Sequence, residues 1–179
     1  LRVRTRILAH PAWVRAKVVM LFVPMPTEID VWSLVEGALE SGKRVCVPSF
    51  SPAHGMYLPR ELRDPAADIH HGPHQVMEAR QGLPWVPTAA LDFIAVPGLA
   101  FDVRGGRLGR GKGFYDQLLS AFGGFACGVG FDEQLVPEVP VEPHDVNLNA
   151  VFNPENWEFV AVYFAVGSVF AALVYATSA

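Results

Sequence analysis

The sequence contains only two cysteines, Cys46 and Cys127, in 179 residues. They form no C-x-x-C pair, and each lies in an apolar, strand-like stretch, so we interpret both as buried reduced thiols. A secretory signal is also missing, because the basic start "LRVRTRILAHPAW" has no continuous apolar segment. We therefore expect a cytoplasmic protein. An initiator Met is absent as well, and we expect the chain to begin inside a longer protein.

The sequence also lacks an excess of positive charge. Lys and Arg total 14 against 18 Asp and Glu, which gives a net charge of −4. This balance excludes the broad basic surface of a general nucleic-acid binder. A hydrophobic fraction of 51% excludes a disordered chain, and the absence of repeats or linkers suits one domain, which we expect to be monomeric. The basic stretch at residues 104–112 therefore indicates a small anionic ligand.

Apolar runs and turn residues predict alternating strands and helices. The first residues resemble the end of a helix, and Asp30 is expected to cap a helix that ends at Gly42. Strands are predicted at 16–23, 44–50, 91–97 and 125–131, a weak strand at 55–60, and a second helix at 114–122. We expect the rest of 51–90, with its histidines His70, His71 and His74, to be exposed loop, and Trp13 and Trp32 to be core residues. Strand, helix and strand in this order imply a parallel sheet with helices on its faces.

The last 21 residues, 159–179, carry no charge. This length is enough for a membrane-spanning helix, which needs about 20 apolar residues. A strand, a turn at Gly167 and Ser168 and a second buried element would have the same composition. Both alternatives remain open from the sequence.

The stretch "RLGRGKGFYD" at 107–116 carries the strongest chemical signal. Glycines at 105, 106, 109, 111 and 113 allow positive φ and close approach of the backbone to a ligand. Backbone N–H groups before a predicted helix bind anions, and Arg107, Arg110 and Lys112 add full charges. The stretch therefore predicts a phosphate site, and the alternative is a basic surface turn.

The pattern nearly matches the P-loop. G-x-x-x-x-G-K fits from Gly106 to Lys112, but Gly113 occupies the place of the hydroxyl residue that holds Mg²⁺. Either the match is accidental or another group holds the metal. The acid nearest in the chain is Asp116.

The stretch "VPGLAFDVRGGRLGRGKGFYD" closely resembles the signature of the 5-formyltetrahydrofolate cyclo-ligase family. "LFVPMPTEIDVWSLVEGALESGKRVCVP" and "GVGFDEQLVPEVPVEPHDV" resemble its early and late segments, so the resemblance covers about residues 7–150. It implies a three-layer α/β fold of the NagB/RpiA/CoA-transferase type, with a mostly parallel sheet and flanking helices. It also implies ATP and Mg²⁺ as cofactors, and cyclisation of 5-formyltetrahydrofolate to 5,10-methenyltetrahydrofolate with release of ADP and phosphate through a phosphorylated formyl group.

The resemblance assigns roles to residues that match the family's motifs. It implies catalytic roles for Arg110, Lys112 and Tyr115. Contacts with the folate substrate are implied for Val23, Glu28, Arg110, Phe114 and Tyr115, and Mg²⁺ ligands at Asp116 and Asp145. The implied ATP-binding residues are Arg107, Leu108, Gly109, Arg110, Gly111, Lys112, Gly113, Phe114 and Tyr115.

Both ends differ from the family pattern. The resemblance implies that residues 1–150 form a cyclo-ligase-like domain lacking the family's N-terminal helix, and that 151–179 form a divergent apolar tail. The competing hypotheses are an altered paralogue that binds nucleotide or folate without this turnover, a non-enzymatic nucleotide- or RNA-binding module, and a membrane-tethered scaffold.

Overall fold

The computed structural model describes residues 2–72 and 76–155, together with the backbone of 157–159. The helices of this part are α1 (Arg2–Ala9), α2 (Pro11–Arg15), α3 (Trp32–Glu40), α4 (Pro65–Asp68) and α5 (Phe114–Ser120), with two 3-10 turns at Thr88–Ala90 and Asp132–Gln134. The strands are β1 (Val18–Met20), β2 (Arg44–Ser51), β3 (Met56–Glu61), β4 (Ile69–His71), β5 (Met77–Ala79), β6 (Phe93–Val96), β7 (Ala100–Phe101), β8 (Arg107–Leu108), β9 (Phe125–Val129), β10 (Ala150–Phe152) and β11 (Trp157–Phe159).

Seven strands form one sheet in the order β11-β10-β9-β6-β1-β2-β3. The five inner strands run parallel, and an antiparallel strand closes each edge. Every residue of β1 and β6 is buried, as a parallel strand covered on both faces requires. The mostly parallel α/β fold predicted from the sequence is therefore confirmed.

Helices cover both faces of the sheet. On one face, α1, α2 and α3 contribute Val3, Ile7, Trp13 and Leu34 to one apolar cluster. On the other face, α5 contributes Leu118 and Leu119 to a second cluster. Helix α3 begins beside Asp30, whose Oδ1 accepts the Trp32 N–H at 2.8 Å, and is followed by Gly42 at φ 77°. The predicted helix is confirmed, but its N-cap residue is Val31 instead of Asp30, and it ends at Glu40, two residues before Gly42.

The strand order reverses between β1 and β6. From β1 the chain proceeds to β2 on one side, and from β6 it proceeds to β9 on the other side. Loops 21–31 and 97–113 follow the carboxyl ends of these two strands. In open α/β sheets this switch point is where ligands bind.

Several local predictions need correction. The strand predicted at 16–23 is regular only over Val18–Met20, because loop 21–31 must leave the sheet at the switch point. The region 51–90 is not all loop outside β3: it contains α4 and the hairpin of β4 with β5. His70 and His71 lie in β4, whereas His74 is outside the described residues. Trp32 is only partly buried, although it packs against the core.

The sheet continues through β10 and β11 to residue 159. Residues 160–179, on which the two hypotheses for the tail depend, lie outside the described residues. In the part of the chain that is described, no helix is long and apolar enough to cross a membrane. Cys46 and Cys127 are free and buried, as predicted, and burial raises the pKa of the Cys46 thiol to about 12.

Candidate active site

A buried carboxylate shapes the start of the loop that follows β6. Asp102 is 1% exposed and accepts N–H bonds from Arg104, Gly106 and Val139 at 2.8–2.9 Å. Burial alone would raise the pKa of Asp102, but these three N–H bonds outweigh it and leave the pKa below its ordinary value. Gly106 lies so close that an added Cβ would be 2.6 Å from Asp102 Oδ2. The loop therefore has a rigid base, which the sequence analysis did not identify.

Arg107 connects this loop with helix α5. Its side chain is 5% exposed, and Nη2 donates to Oδ1 of Asp116 at 2.9 Å. The guanidinium also lies 5.5 Å from the centre of the Tyr115 ring, within cation–π range. Burial raises the pKa of the Tyr115 hydroxyl, the Glu28 charge adds to this effect, and Arg107 opposes it. Tyr115 therefore keeps its proton at neutral pH.

Glu28 and Arg110 meet across the switch point. Arg110 Nη2 lies 3.6 Å from Glu28 Oε1, and Glu28 Oε2 accepts the Met25 N–H at 3.0 Å. Glu28 is mostly buried at 11% exposure, whereas Arg110 is 52% exposed. Loops 21–31 and 97–113 are thus joined by one ion pair between two predicted site residues.

The remaining loop residues present backbone and charge to the surface. Gly111 and Gly113 have φ values of 77° and 61°, which favour glycine, and Gly113 is the residue before α5. Lys112 lies between them and is exposed, as is Leu108, whose carbonyl accepts the Leu99 N–H at 2.8 Å. Gly109 approaches Arg107 so closely that a Cβ there would be 2.6 Å from Nη1.

Phe114 and Tyr115 belong to a larger set of ring contacts. We call Phe50, Tyr57, Phe114 and Tyr115 the aromatic row; the centres of successive rings are 5.4, 4.7 and 4.7 Å apart. Phe50 and Tyr57 face each other across the β2–β3 pairing. Neither residue was predicted from the sequence to belong to the site. Phe50 lies near the carboxyl end of β2, at the same edge of the sheet as the switch point, and that position could have indicated it.

Asp145 and Val23 lie at the margins of this arrangement. Asp145 Oδ2 accepts the Glu142 N–H at 2.7 Å, and Oδ1 is 3.7 Å from His144 Nε2. The next residue, Val146, packs against the same apolar cluster as Phe114 and Tyr115. Val23 packs against the cluster on the opposite face of the sheet. No described contact joins either residue to the loop at 107–113.

A metal cage built from protein side chains alone is absent from residues 2–72 and 76–155, since no three His, Cys, Asp or Glu side chains are arranged to hold an ion. A cavity of about 350 Å³ lined by Arg15, Asp92, Gly124 and Phe125 lies at the amino ends of β1, β6 and β9. It contains none of the predicted site residues, so the switch-point edge remains the candidate site.

Comparison with known proteins agrees with this geometry. The model of the 5-formyltetrahydrofolate cyclo-ligase family matches residues 2–154. The chain belongs to the 5-formyltetrahydrofolate cyclo-ligase family. The cyclo-ligase of Mycolicibacterium smegmatis is 35% identical over 79% of this chain and 76% of its own length. That of Escherichia coli is 33% identical over 87% of this chain and 88% of its own length.

A solved structure extends the comparison to three dimensions. The 5,10-methenyltetrahydrofolate synthetase of Aquifex aeolicus is similar with a TM-score of 0.78 at 28% identity, covering 97% of this chain and 85% of that one. The predicted family is therefore confirmed, and membership identifies the chain as a cyclo-ligase enzyme. The cyclo-ligase signature includes the loop at 107–113 that meets Glu28 at the switch point.

Proposed function

We propose that the chain cyclises 5-formyltetrahydrofolate to 5,10-methenyltetrahydrofolate with conversion of ATP to ADP and phosphate, in a reaction that requires Mg²⁺. One observation carries the proposal: a loop rich in glycine and cations faces a mostly buried carboxylate across the switch point, with the aromatic row beside it. This combination offers one set of groups for phosphates and another for a flat, hydrogen-bonding ring.

The phosphates of ATP would bind along residues 107–113. Arg110 and Lys112 are exposed cations in this loop and can approach phosphate oxygens directly. Gly111 and Gly113 leave the backbone N–H groups accessible, because no Cβ shields them. Arg107 is nearly buried and paired with Asp116, so it would act mainly by holding the base of the loop.

The folate would bind through its flat ring. Phe114 and Tyr115 offer apolar ring faces, and Glu28 offers a carboxylate oxygen to the N–H groups at the edge of a pterin. Arg110 pairs with Glu28 when neither ligand is bound, so it lies between the two binding regions. Val23 precedes Glu28 in the same loop and supplies an apolar contact.

Asp116 and Asp145 would hold Mg²⁺. Both are carboxylates, the hard oxygen donors that this ion takes, and Mg²⁺ commonly uses only one or two carboxylates with phosphate oxygens and waters. The donor set therefore fits without a third acid. Bound there, Mg²⁺ would supply positive charge for the transferring phosphoryl group.

The reaction has two steps. The formyl oxygen attacks the γ-phosphorus of ATP, the bond to the bridging oxygen breaks, and ADP leaves. The resulting iminium phosphate is attacked at its carbon by N10, which loses a proton, and phosphate leaves as the five-membered ring closes. Arg110 and Lys112 stabilise the charge on the transferring oxygens, and Tyr115, which keeps its proton, donates a hydrogen bond.

The test is to mix the purified chain with 5-formyltetrahydrofolate, ATP and Mg²⁺ and to follow the near-ultraviolet absorbance of the methenyl product. We expect a rise that needs all three components. Product without ATP, or tight ATP binding with no product under any condition, would contradict the proposal. Omitting one component at a time provides the controls.

A further inference from the structure

Glu78 is a buried carboxylate for which the proposed reaction gives no role. It lies in β5 and is 1% exposed. Its Oε2 accepts the Phe50 N–H at 3.1 Å, whereas Oε1 has no hydrogen-bond partner among the described residues. The Nε2 atom of the His70 imidazole lies 3.8 Å from the same Oε1. Gly72 covers the carboxylate, since a Cβ there would be 2.3 Å from Glu78 Cδ.

The position of Glu78 in the sheet places it behind the active site. Strand β1 pairs with β2 only as far as Cys46 opposite Met20. Phe50 lies four residues further along β2, at the carboxyl edge, and β5 packs against β2. Glu78 therefore binds the backbone of β2 beyond the point where β1 ends, and this backbone carries the first ring of the aromatic row.

The environment of Glu78 is a poor one for a residue that serves stability alone. A buried carboxylate is normally stabilised by several hydrogen bonds, and here Oε1 accepts none from the described residues and has only the His70 imidazole 3.8 Å away. A glutamine would keep an oxygen for the Phe50 N–H without burying a charge. Buried charged groups of this kind concentrate where function requires them. The charge also acts on the aromatic row, because burial and then the Glu78 carboxylate raise the pKa of Tyr57.

We propose that Glu78 is a positioning residue that fixes Phe50, and through it Tyr57, so that the rings of the aromatic row, which are tilted by 56–66° to one another, stay in place beside the flat ring of the folate. This inference rests on the proposed function. Phe50 and Tyr57 come from β2 and β3, whereas Phe114 and Tyr115 come from α5. The hydrogen bond from the Phe50 N–H to Glu78 keeps the rings of Phe50 and Tyr57 aligned with those of Phe114 and Tyr115.

The test compares three variants with KM measured for each substrate separately. Glu78→Asp keeps the charge but is one methylene too short for the Phe50 N–H, and Glu78→Leu removes the acceptor. Both should raise the KM for 5-formyltetrahydrofolate about tenfold and leave the KM for ATP within about twofold. Glu78→Gln keeps the acceptor and should leave both KM values as in the wild type. Glu61→Gln is the matched control, since it removes a carboxylate of β3 that pairs with the exposed Arg44.

A second readout does not depend on turnover. Amide hydrogen exchange at Phe50 should be slow in the wild type and in Glu78→Gln, and faster in Glu78→Asp and Glu78→Leu. Equal exchange in all variants would show that the contact is absent and would overturn the inference. Faster exchange with an unchanged folate KM, or with an equal rise in both KM values, would also overturn it. A wild type with slow exchange but no folate turnover would contradict the proposed function instead.

Discussion

Arg110 Nη2 lies 3.6 Å from Glu28 Oε1, and this pair joins the loops that follow the neighbouring strands β6 and β1. Arg110 has a proposed role toward the phosphates of ATP, whereas Glu28 has one toward the pterin ring of the folate. In the proposed function, Arg110 would leave Glu28 to take a phosphate, and Glu28 would leave Arg110 to take a pterin N–H. Binding of one substrate would then release the residue needed by the other.

The first prediction concerns this pair. Glu28→Gln should tighten binding of a non-hydrolysable ATP analogue by about two- to fivefold without folate, because Arg110 no longer has an anionic partner and an exposed pair contributes about 1 kcal/mol at most. The same change should weaken binding of 5-formyltetrahydrofolate. Calorimetry with each ligand measures both effects. Equal weakening of both ligands would show that Arg110 and Glu28 do not compete in this way.

The second prediction concerns Lys112. Lys112→Ala should lower kcat/KM by about 100-fold or more, because it removes a full charge from the transferring phosphoryl group. Lys112 is exposed in its loop, so thermal stability should not change. Lys17→Ala, an exposed lysine at the opposite edge of the sheet, is the matched control and should keep full activity. Normal turnover in Lys112→Ala would show that the phosphates of ATP do not bind along this loop.

The third prediction concerns Asp116. Asp116→Asn should raise the Mg²⁺ concentration needed for half-maximal activity and should also lower stability by about 3 kcal/mol. The stability loss follows because the nearly buried Arg107 guanidinium would keep a hydrogen bond but lose its opposite charge. A Mg²⁺ titration and a denaturant titration measure the two effects. Should the Mg²⁺ titration stay unchanged while stability falls, Asp116 serves Arg107 and the ion is held elsewhere.

The fourth prediction concerns the pH dependence of stability. His10 packs against Phe125, and its Nδ1 accepts the Ala12 N–H at the start of α2. Burial, and then Arg15, lower the pKa of His10 below 6.5. As the pH falls below about 6.5, His10 therefore takes up a proton more readily in the unfolded chain than in the folded chain. The stability that His10 contributes above this pH is lost as a result.

The free energy of unfolding by urea, measured at several values from pH 7.5 to 5, should show this decrease. His10→Asn keeps an acceptor for the Ala12 N–H and should flatten the curve in that range. His71→Asn, a change at an exposed histidine, should leave the slope as in the wild type. A slope that persists in His10→Asn would assign the titration to another group.

The resemblance of three stretches was sufficient to predict the family, and local patterns were sufficient to predict the parallel sheet and the loop that carries the cations. Buried strands such as Phe93–Val96 appear as continuous apolar runs, and glycines such as Gly111 and Gly113 mark the places where φ is positive. These properties depend on neighbouring residues in the chain. Helix α3 was located correctly for the same reason, because Asp30 and Gly42 lie next to its ends.

The short elements between residues 51 and 90 were not predictable in this way. Strands β4 and β5 have three residues each, which is too short to show the alternation of apolar and polar residues that indicates a strand. The position of β5 depends on packing against β2, a contact between distant parts of the chain, and β4 is placed by its pairing with β5. The same limit hid Glu78, whose acidic character by itself indicates an exposed residue.

The tertiary structure alone decided which charges meet. Arg107 lies beside two other cations in the chain, yet it is the one that turns inward to Asp116, whereas Arg110 turns across the switch point to Glu28. Tyr57 joins Phe114 in the aromatic row although 57 positions separate them. A sequence pattern carries periodicity and turn chemistry, but the direction of a side chain is set by the elements that pack around it.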